Sequence, residues 1–356
     1  MKIQNVLMTV AAGIVLAPAA FGQVELRITG ATAFRSAVYD RLTNYVLNSG
    51  STIKASGNYQ TISGTFSANM GTLSGQAALI RCSFSGSAEG MRDVGSQLAI
   101  PFLNTDGTTN YTLTPDIGFS DVQPSSALAY VQPMSAFESV VRVGVVPFAW
   151  IRNVPASGAL NAVTNISREQ AYLLQTGTGL MPTRFLGGAD DGSVVRFIGR
   201  DNMSGTRITM QRCIGFAGTP KMQDKLSGTW KATNGYSSGG SIGTALTNGT
   251  DCILSYVTLA DGAARIADGK AVYLSYNGVP YSRAAVTNGY YSFWTFESAY
   301  SRQSLSAEVD KQAVYTGLLG AITNADYQLT NSIFNNYVPM GQMNVDRYQD
   351  GGLIYY

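Results

Sequence analysis

One local pattern recurs three times along this chain: a strand-like apolar segment runs into a turn rich in Gly, Ser and Thr, and a helical pattern follows. The turns occupy residues 29–34, 86–90 and 204–207. Strands that alternate with helices along a chain form sheets covered by helices. The sequence therefore predicts an α/β fold with mixed sheets flanked by helices, and it places each of these turns at the start of a helix.

Three further segments define the expected framework. Residues 140–151 form a Val-rich apolar stretch, which predicts a buried strand that crosses between two parts of the molecule. Ser167 and Gln170 have the spacing of a capping box, so we predict a helix from there to about Gly177. Residues 101–115 are polar and are predicted to form a loop. The length of 356 residues indicates two domains, at roughly 150 residues per domain.

The N-terminus is typical of an exported protein. Residues 1–22 combine Lys2, an apolar run over 6–16 and small residues over 17–22. This pattern predicts a secretory signal peptide, and a buried N-terminal helix is the alternative. We therefore expect the mature chain to be periplasmic or secreted.

Histidine and cysteine counts exclude several kinds of chemistry. The chain has no histidine, so it contains no Ser–His–Asp triad, no Cys–His pair and no His-ligated zinc or haem. Its three cysteines, Cys82, Cys213 and Cys252, cannot form a four-Cys zinc site. We predict no metal site and no cofactor. One disulfide or three buried free thiols are both compatible with an oxidising compartment, and the sequence does not select a pair.

Charge gives no indication of a nucleic-acid partner. The 24 basic and 22 acidic residues leave a net charge of +2, and the basic residues are scattered. Proteins that bind nucleic acids usually cluster Lys and Arg on one basic face. We therefore expect no nucleic-acid partner.

Each of the three turns is suited to hold an anion. A helix N-terminus presents unpaired backbone N–H groups and partial positive charge, while hydroxyl side chains add further donors. Ordinary N-capping explains each turn taken singly. The set becomes more specific if the turns converge with Arg200 and with Ser120 and Asp121, which end a short predicted strand.

These features follow one another as an ordered series of motifs. The motifs are residues 28–34 (Ile-Thr-Gly-Ala-Thr-Ala-Phe), 86–90 (Gly-Ser-Ala-Glu-Gly), 118–121 (Gly-Phe-Ser-Asp), 167–177 and 200–206 (Arg-Asp-Asn-Met-Ser-Gly-Thr). In this order they resemble the motifs of the periplasmic phosphate-binding proteins of ABC importers, within the type II periplasmic binding superfamily. The last motif is the most specific, because it keeps the family's Arg-x-x-x-Ser-Gly-Thr spacing.

The resemblance implies a set of ligand-binding residues. Thr32 and Phe34 would bind the anion through hydroxyl and backbone N–H, Ser87 would donate its hydroxyl, and Asp121 would accept a proton that the ligand itself carries. Arg200 would supply positive charge. The full set that the resemblance implies is Thr32, Ala33, Phe34, Ser87, Ser120, Asp121, Arg200, Ser204, Gly205 and Thr206.

The chain departs from the family pattern at several positions. Glu89 stands where the family prefers a small residue, and such a carboxylate is unfavourable near an anion unless it points away or pairs with an arginine. The segment between Ser87 and Asp121 is also longer than in the family. The chain therefore resembles a divergent member, for which another oxyanion or another ligand remains open.

The resemblance also implies an architecture and a function. Two lobes joined by a hinge would be formed by residues 24–143 plus 275–356 and by residues 144–274. The protein would be a monomer that captures an oxyanion, phosphate above all, in the cleft between the lobes and delivers it to an ABC transporter permease without catalysis.

Two other classes of function remain open from the sequence. A hydrolase on the same scaffold would need a serine activated without histidine. A secreted surface or adhesion protein is suggested by the stretches 49–75 and 231–250, which are rich in Ser, Thr, Asn and Gly. The aromatic cluster at 290–296 could stack on a sugar, although packing in the core or between the lobes is the favoured explanation.

Overall fold

The computed structural model of this protein describes residues 22–108, 110–127, 137–226 and 228–356. The predicted signal peptide, apart from Gly22, lies outside the described residues. The described chain folds into a mixed α/β structure whose main sheet contains twelve strands.

The strands follow one another along the whole described chain. In the first part they are β1 (Val24–Gly30), β2 (Thr52–Ser56), β3 (Tyr59–Thr65), β4 (Ala77–Ser83), β5 (Ile100–Leu103), β6 (Asn110–Leu113), β7 (Ile117–Ser120) and β8 (Phe137–Asn153). The later ones are β9 (Asn165–Ile166), β10 (Leu180–Pro182), β11 (Val194–Phe197), β12 (Met222–Leu226), β13 (Thr229–Thr233), β14 (Cys252–Thr258), β15 (Ala271–Tyr276), β16 (Trp294–Arg302), β17 (Asp346–Arg347) and β18 (Ile354–Tyr355).

Helices lie between most of these strands. They are α1 (Arg35–Arg41), which a π-helical turn (Leu42–Val46) continues, α2 (Ser87–Gly95), α3 (Arg168–Thr176), α4 (Gly205–Ile214), α5 (Gly239–Ala245), α6 (Leu259–Ala267), α7 (Arg283–Thr287), α8 (Val309–Thr323) and α9 (Ala325–Thr330).

Strand β8 connects the two halves of the main sheet. The strand order is β10-β11-β14-β8-β16-β7-β1-β4-β3-β2. The part of β8 up to Pro147 pairs with β16, and the part from Phe148 onward pairs with β14 and, near its end, with β15. Its last eleven residues are all buried, as the Val-rich stretch at 140–151 predicted for its later part. Val140 and Val141, by contrast, are exposed.

Glycines bring the end of β1 and the start of α2 into backbone contact. Gly30 has a φ of +115°, and a Cβ there would overlap the carbonyl oxygen of Phe119 on β7. A Cβ on Gly90 would overlap Gly30 and lie 2.8 Å from its backbone nitrogen. Larger residues would therefore push the first two turns apart.

Two aromatic groups form much of the core. Phe34 packs against Phe119 and Tyr337, with ring centroids 6.2 and 5.0 Å apart. In the other half of the sheet, Trp150 packs against Tyr256 at 5.8 Å. These rings are all buried, and Phe34 directly precedes α1.

The aromatic cluster near residue 290 belongs to the core. Tyr291, Phe293, Trp294 and Phe296 are buried, and only Tyr290 is exposed. Packing, and not stacking on a sugar, therefore explains the cluster.

Some local predictions are confirmed and one is wrong. Helix α3 ends at Gly177, and both hydrogen bonds of the Ser167–Gln170 capping box are present. The predicted polar loop at 101–115 contains instead the hairpin of β5 and β6. The hairpin forms because Phe102 is fully buried and the Thr61 hydroxyl of β3 donates to the carbonyl at the end of β5 (2.7 Å).

The three cysteines are free thiols, and Cys82 and Cys252 are buried. Nowhere in the described ranges does a helix combine the length and the apolar character needed to cross a bilayer. Among the same residues, no group of three or more Cys, Asp or Glu side chains is arranged to hold a metal ion.

Candidate functional site

Three turns that are far apart in the sequence meet at one place in the fold. The Gly86 N–H at the start of α2 donates to the Gly30 carbonyl (3.1 Å). From the same helix start, the Ala88 N–H donates to the Met203 carbonyl (3.2 Å) in the turn before α4. The three turns therefore converge, as a shared site requires.

A serine, a carboxylate and a glycine form the centre of this meeting point. The Ser87 hydroxyl donates a short hydrogen bond to Oδ1 of Asp121, just beyond the end of β7. A Cβ on Gly205 would overlap that Asp121 oxygen and lie 2.6 Å from the Ser87 Oγ. The first turn of α4 thus rests directly on a hydroxyl and a carboxylate supplied by the other half of the sheet.

Burial dominates the electrostatics of Asp121. The side chain is 1% exposed, and loss of water raises its pKa to about 6. The Ser87 hydrogen bond and the charge of Arg200 act in the opposite direction, whereas the charge of Asp350 raises the pKa further. Asp121 is therefore mainly ionised at neutral pH, and burial of this charge lowers the stability of the folded protein.

Two buried arginines surround the turn before α4. The Arg200 guanidinium is anchored by hydrogen bonds to the carbonyls of Tyr236 (3.2 Å) and Ser237 (3.0 Å). Arg207, which sequence analysis did not select, donates through Nη1 to the carbonyls of Arg200 (3.2 Å) and Asn234 (3.1 Å). Arg200 thus supplies positive charge near Asp121, while Arg207 holds the backbone that carries it.

The first turn contributes backbone more than side chains. The Phe34 ring lies in the aromatic core, and the Ala33 carbonyl accepts a hydrogen bond from the Tyr337 hydroxyl (2.7 Å). Thr32, just before α1, has only 8% of its surface exposed. The first N–H groups of a helix have no partner within the helix, so they are the donors that this turn offers.

Several other selected residues have structural contacts. The Ser120 hydroxyl donates to the Val122 carbonyl (3.0 Å), so it stabilises its own turn. The Ser204 hydroxyl accepts from the Arg207 N–H at 3.4 Å and caps α4, and Thr206 in the next turn is buried.

Glu89 resolves one departure from the family pattern. Its carboxylate is one-third exposed and forms an ion pair with Arg92 one turn further along α2, at 3.3 Å. Arg92 thus partly neutralises the negative charge of Glu89.

The fold has counterparts among solved structures. A protein of Clostridium perfringens, described as a phosphate ABC transporter substrate-binding protein with bound phosphate, gives a TM-score of 0.53 at 14% identity, over 89% of this chain and 99% of that chain. A structure described as a DING protein gives 0.52 at 13% identity, over 88% of this chain and 90% of that chain. No protein-family model and no curated protein matches the sequence.

This chain has the two-lobed fold of a periplasmic binding protein. At this level of identity the likeness concerns the fold, which is the one that the ordered motifs predicted. Within this fold, the starts of α2 and α4 meet at Asp121, where Ser87 and Gly205 contact its carboxylate.

Sequence analysis missed one buried carboxyl in this region of the periplasmic binding protein fold. Glu297 on β16 is fully buried, and within the described structure neither of its carboxyl oxygens has a hydrogen-bond partner. The sequence did contain a signal, since Glu297 is the one charged residue in the aromatic and small-residue run 293–300.

A cavity of about 700 Å³ lies beside α4 and the turn between β17 and β18. Asn202, Arg207, Gln211, Asp350 and Gly351 are among its lining residues. None of the ten residues selected from the sequence lines it, although Arg207 borders the cavity and also holds the turn before α4.

Proposed function

We propose that this chain is an extracytoplasmic solute-binding protein that captures phosphate in a cleft between its two lobes and delivers it to the permease of an ABC importer. It acts as a monomer, without catalysis and without a nucleic-acid partner. The contact among Ser87, Asp121 and Gly205 carries the proposal, because it joins a buried acceptor, a hydroxyl donor and a helix start. The bound phosphate in the Clostridium perfringens protein of the same fold supports the choice of ligand.

The chemistry of the site favours an anion that still carries a proton. Backbone N–H groups, the Ser87 hydroxyl and the Arg200 charge form charge-assisted hydrogen bonds to a tetrahedral oxyanion. The ionised Asp121 repels any ligand that cannot donate to it. Monohydrogen phosphate can donate a proton and sulfate cannot, so an unpaired acceptor and a like-charge contact disfavour sulfate.

Closure of the lobes around the ligand is part of this proposal. We assign residues 24–143 plus 275–356 to one lobe and residues 144–274 to the other. Strand β8 changes its partners between Pro147 and Phe148, close to the first proposed boundary. A hinge there would let Gly205 and Ser204 move away from Asp121 and admit the ligand.

Substitution of Asp121 tests the ligand choice. In Asp121→Asn the carboxamide can donate to sulfate, so we expect the preference for phosphate over sulfate to fall by about tenfold or more. Calorimetric titration with each anion measures the preference. The control is Asp190→Asn, because Asp190 is an exposed carboxylate paired with Arg184 on the surface and should leave both affinities unchanged.

The same purified protein tests the non-catalytic part of the proposal. Incubation with phosphomonoester and carboxylester substrates should give no turnover beyond that of the Asp121→Asn variant. Sustained turnover that the substitution abolishes would establish the hydrolase alternative, with Ser87 as its nucleophile.

A further inference from the structure

The register of the main sheet places Glu297 beside Asp121. Strands β7 and β16 are antiparallel, and Ser120 lies opposite Ser298. The next residue beyond the end of β7 is Asp121, and the corresponding residue on β16 is Glu297. The negative charge of Asp121 acts on Glu297, which agrees with this continuation of the register. Two buried carboxyl groups are therefore neighbours.

The other neighbour of β16 places Glu297 near the first turn as well. Glu297 lies opposite Gly144 on β8, so both are directed to one face of the sheet. A Cβ on Gly144 would lie 3.2 Å from the Phe34 ring, which identifies this face as the one that α1 covers at its start. Glu297 thus shares a face of the sheet with the Phe34 ring.

The surroundings of Glu297 contain no cationic partner. Among the described residues it forms no ion pair, and the charge that acts on it is the negative charge of Asp121. The nearby Tyr337 and Tyr300 hydroxyls donate to backbone carbonyls instead. The cation Arg200 and the anion Asp350 act on Asp121. Burial and the neighbouring carboxylate raise the pKa of Glu297 well above its usual range, which favours the protonated form of the side chain.

We propose that Glu297 is a specificity-determining residue that donates its carboxyl O–H to the bound oxyanion. The inference rests on the proposed function and adds a second carboxyl with the opposite role. Asp121 accepts a hydrogen bond from the ligand, and Glu297 donates one to it. The site therefore selects an anion that offers both a proton and a free oxygen, as monohydrogen phosphate does.

The unpartnered state of Glu297 favours a ligand role over a structural one. A buried polar group without a hydrogen-bond partner destabilises the fold, and an apolar side chain of similar size would stabilise it. A bound oxyanion would supply the missing partner. Affinity and stability should consequently change in opposite directions when the carboxyl is removed.

Three variants, compared by phosphate calorimetry and thermal unfolding, test the inference. Glu297→Met should raise the melting temperature of the free protein and weaken phosphate binding by about tenfold or more. Glu297→Gln, which keeps an N–H donor, should retain most of the affinity. The control Glu169→Met, at an exposed glutamate in the first turn of α3, should leave phosphate affinity unchanged and should not raise the melting temperature.

Each result has a distinct meaning. Phosphate binding by Glu297→Met at the affinity of the unsubstituted protein would overturn the inference, and so would equal losses in the Met and Gln variants. An unsubstituted protein that binds no phosphate would overturn the proposed function itself.

Infrared difference spectroscopy of the unsubstituted protein tests the same point if a variant does not fold. Phosphate should shift the C=O band of a protonated carboxyl group. A spectrum without such a shift, in a protein that binds phosphate, would overturn the inference.

Discussion

Gly205 shows how closely the two parts of the chain approach each other at single-atom scale. Its missing side chain leaves just enough room for the Asp121 carboxylate and the Ser87 hydroxyl. The motif Arg-x-x-x-Ser-Gly-Thr predicted a glycine at a helix start. No local pattern, however, could predict that Asp121 and Ser87 pack against this glycine. Glu297 illustrates the same limit, because its neighbour Asp121 is 176 residues away in the sequence.

Substitution of Gly205 by alanine should disrupt the site. The added methyl group would overlap Asp121, and overpacking of this kind costs about 1–3 kcal/mol of stability. We expect Gly205→Ala to lower the free energy of unfolding by that amount and to weaken phosphate binding, as urea denaturation and calorimetry would show. Gly320→Ala on α8 is the matched control, since a Cβ there meets no atom within 4 Å and alanine favours a helix. Equal effects of the two substitutions would contradict the close contact.

The raised pKa of Asp121 predicts a pH-dependent stability difference. The folded-state pKa of about 6 exceeds the ordinary value of 3.8, so the folded protein binds more protons than the unfolded chain between about pH 4 and 6. The contribution of this group to stability is therefore lost as pH rises through that window. The Asn side chain in Asp121→Asn cannot ionise. The free energy of unfolding of this variant should therefore exceed that of the unsubstituted protein by a margin that grows from near zero at pH 4 to about 3 kcal/mol at pH 7.

Urea denaturation of both proteins across this pH range measures the difference. Taking the difference cancels other groups that titrate in the same range, such as Asp93, whose pKa burial raises to about 6. A difference that does not change with pH would show that Asp121 is not buried as an ionisable group.

At the scale of single elements, local signals succeeded where they involved neighbours in the sequence. The α3 capping box is closed by residues three positions apart, so its spacing alone predicted where the helix begins. The β5–β6 hairpin was predicted as a loop because its stability depends on contacts with β3 and β4. Those contacts bring together residues about 40 positions apart, as between Thr61 and Leu103.

The capping box provides a quantitative test at this scale. Ser167→Ala removes the acceptor for the Gln170 N–H (3.1 Å), and loss of such a cap should cost about 1 kcal/mol. Urea denaturation would measure the loss. The exposed Ser74 provides the comparison, because Ser74→Ala should leave stability nearly unchanged. Phosphate affinity should be the same in both variants, since α3 does not reach Asp121.

For the whole molecule, the proposed function implies that ligand binding and lobe closure are coupled. A ligand that binds only the closed, folded state raises the free energy of unfolding by about 2.7 kcal/mol at a hundredfold excess over its dissociation constant. We expect phosphate to raise the melting temperature accordingly, and sulfate, molybdate and simple sugars to have smaller effects. Small-angle scattering should show a more compact particle with phosphate. Stabilisation by a sugar alone, or by none of these compounds, would favour a different class of function.

The sequence by itself determined the alternation of strands and helices, the Gly-rich turns and the absence of histidine chemistry. These properties depend on residues that are close together in the chain or on composition alone. Only the tertiary structure decided which turns meet, that Ser87 pairs with Asp121, and that Glu297 is buried near them without a hydrogen-bond partner among the described residues. Such contacts arise from sheet register and long-range burial, because a strand aligns its residues with partners that may lie anywhere in the chain.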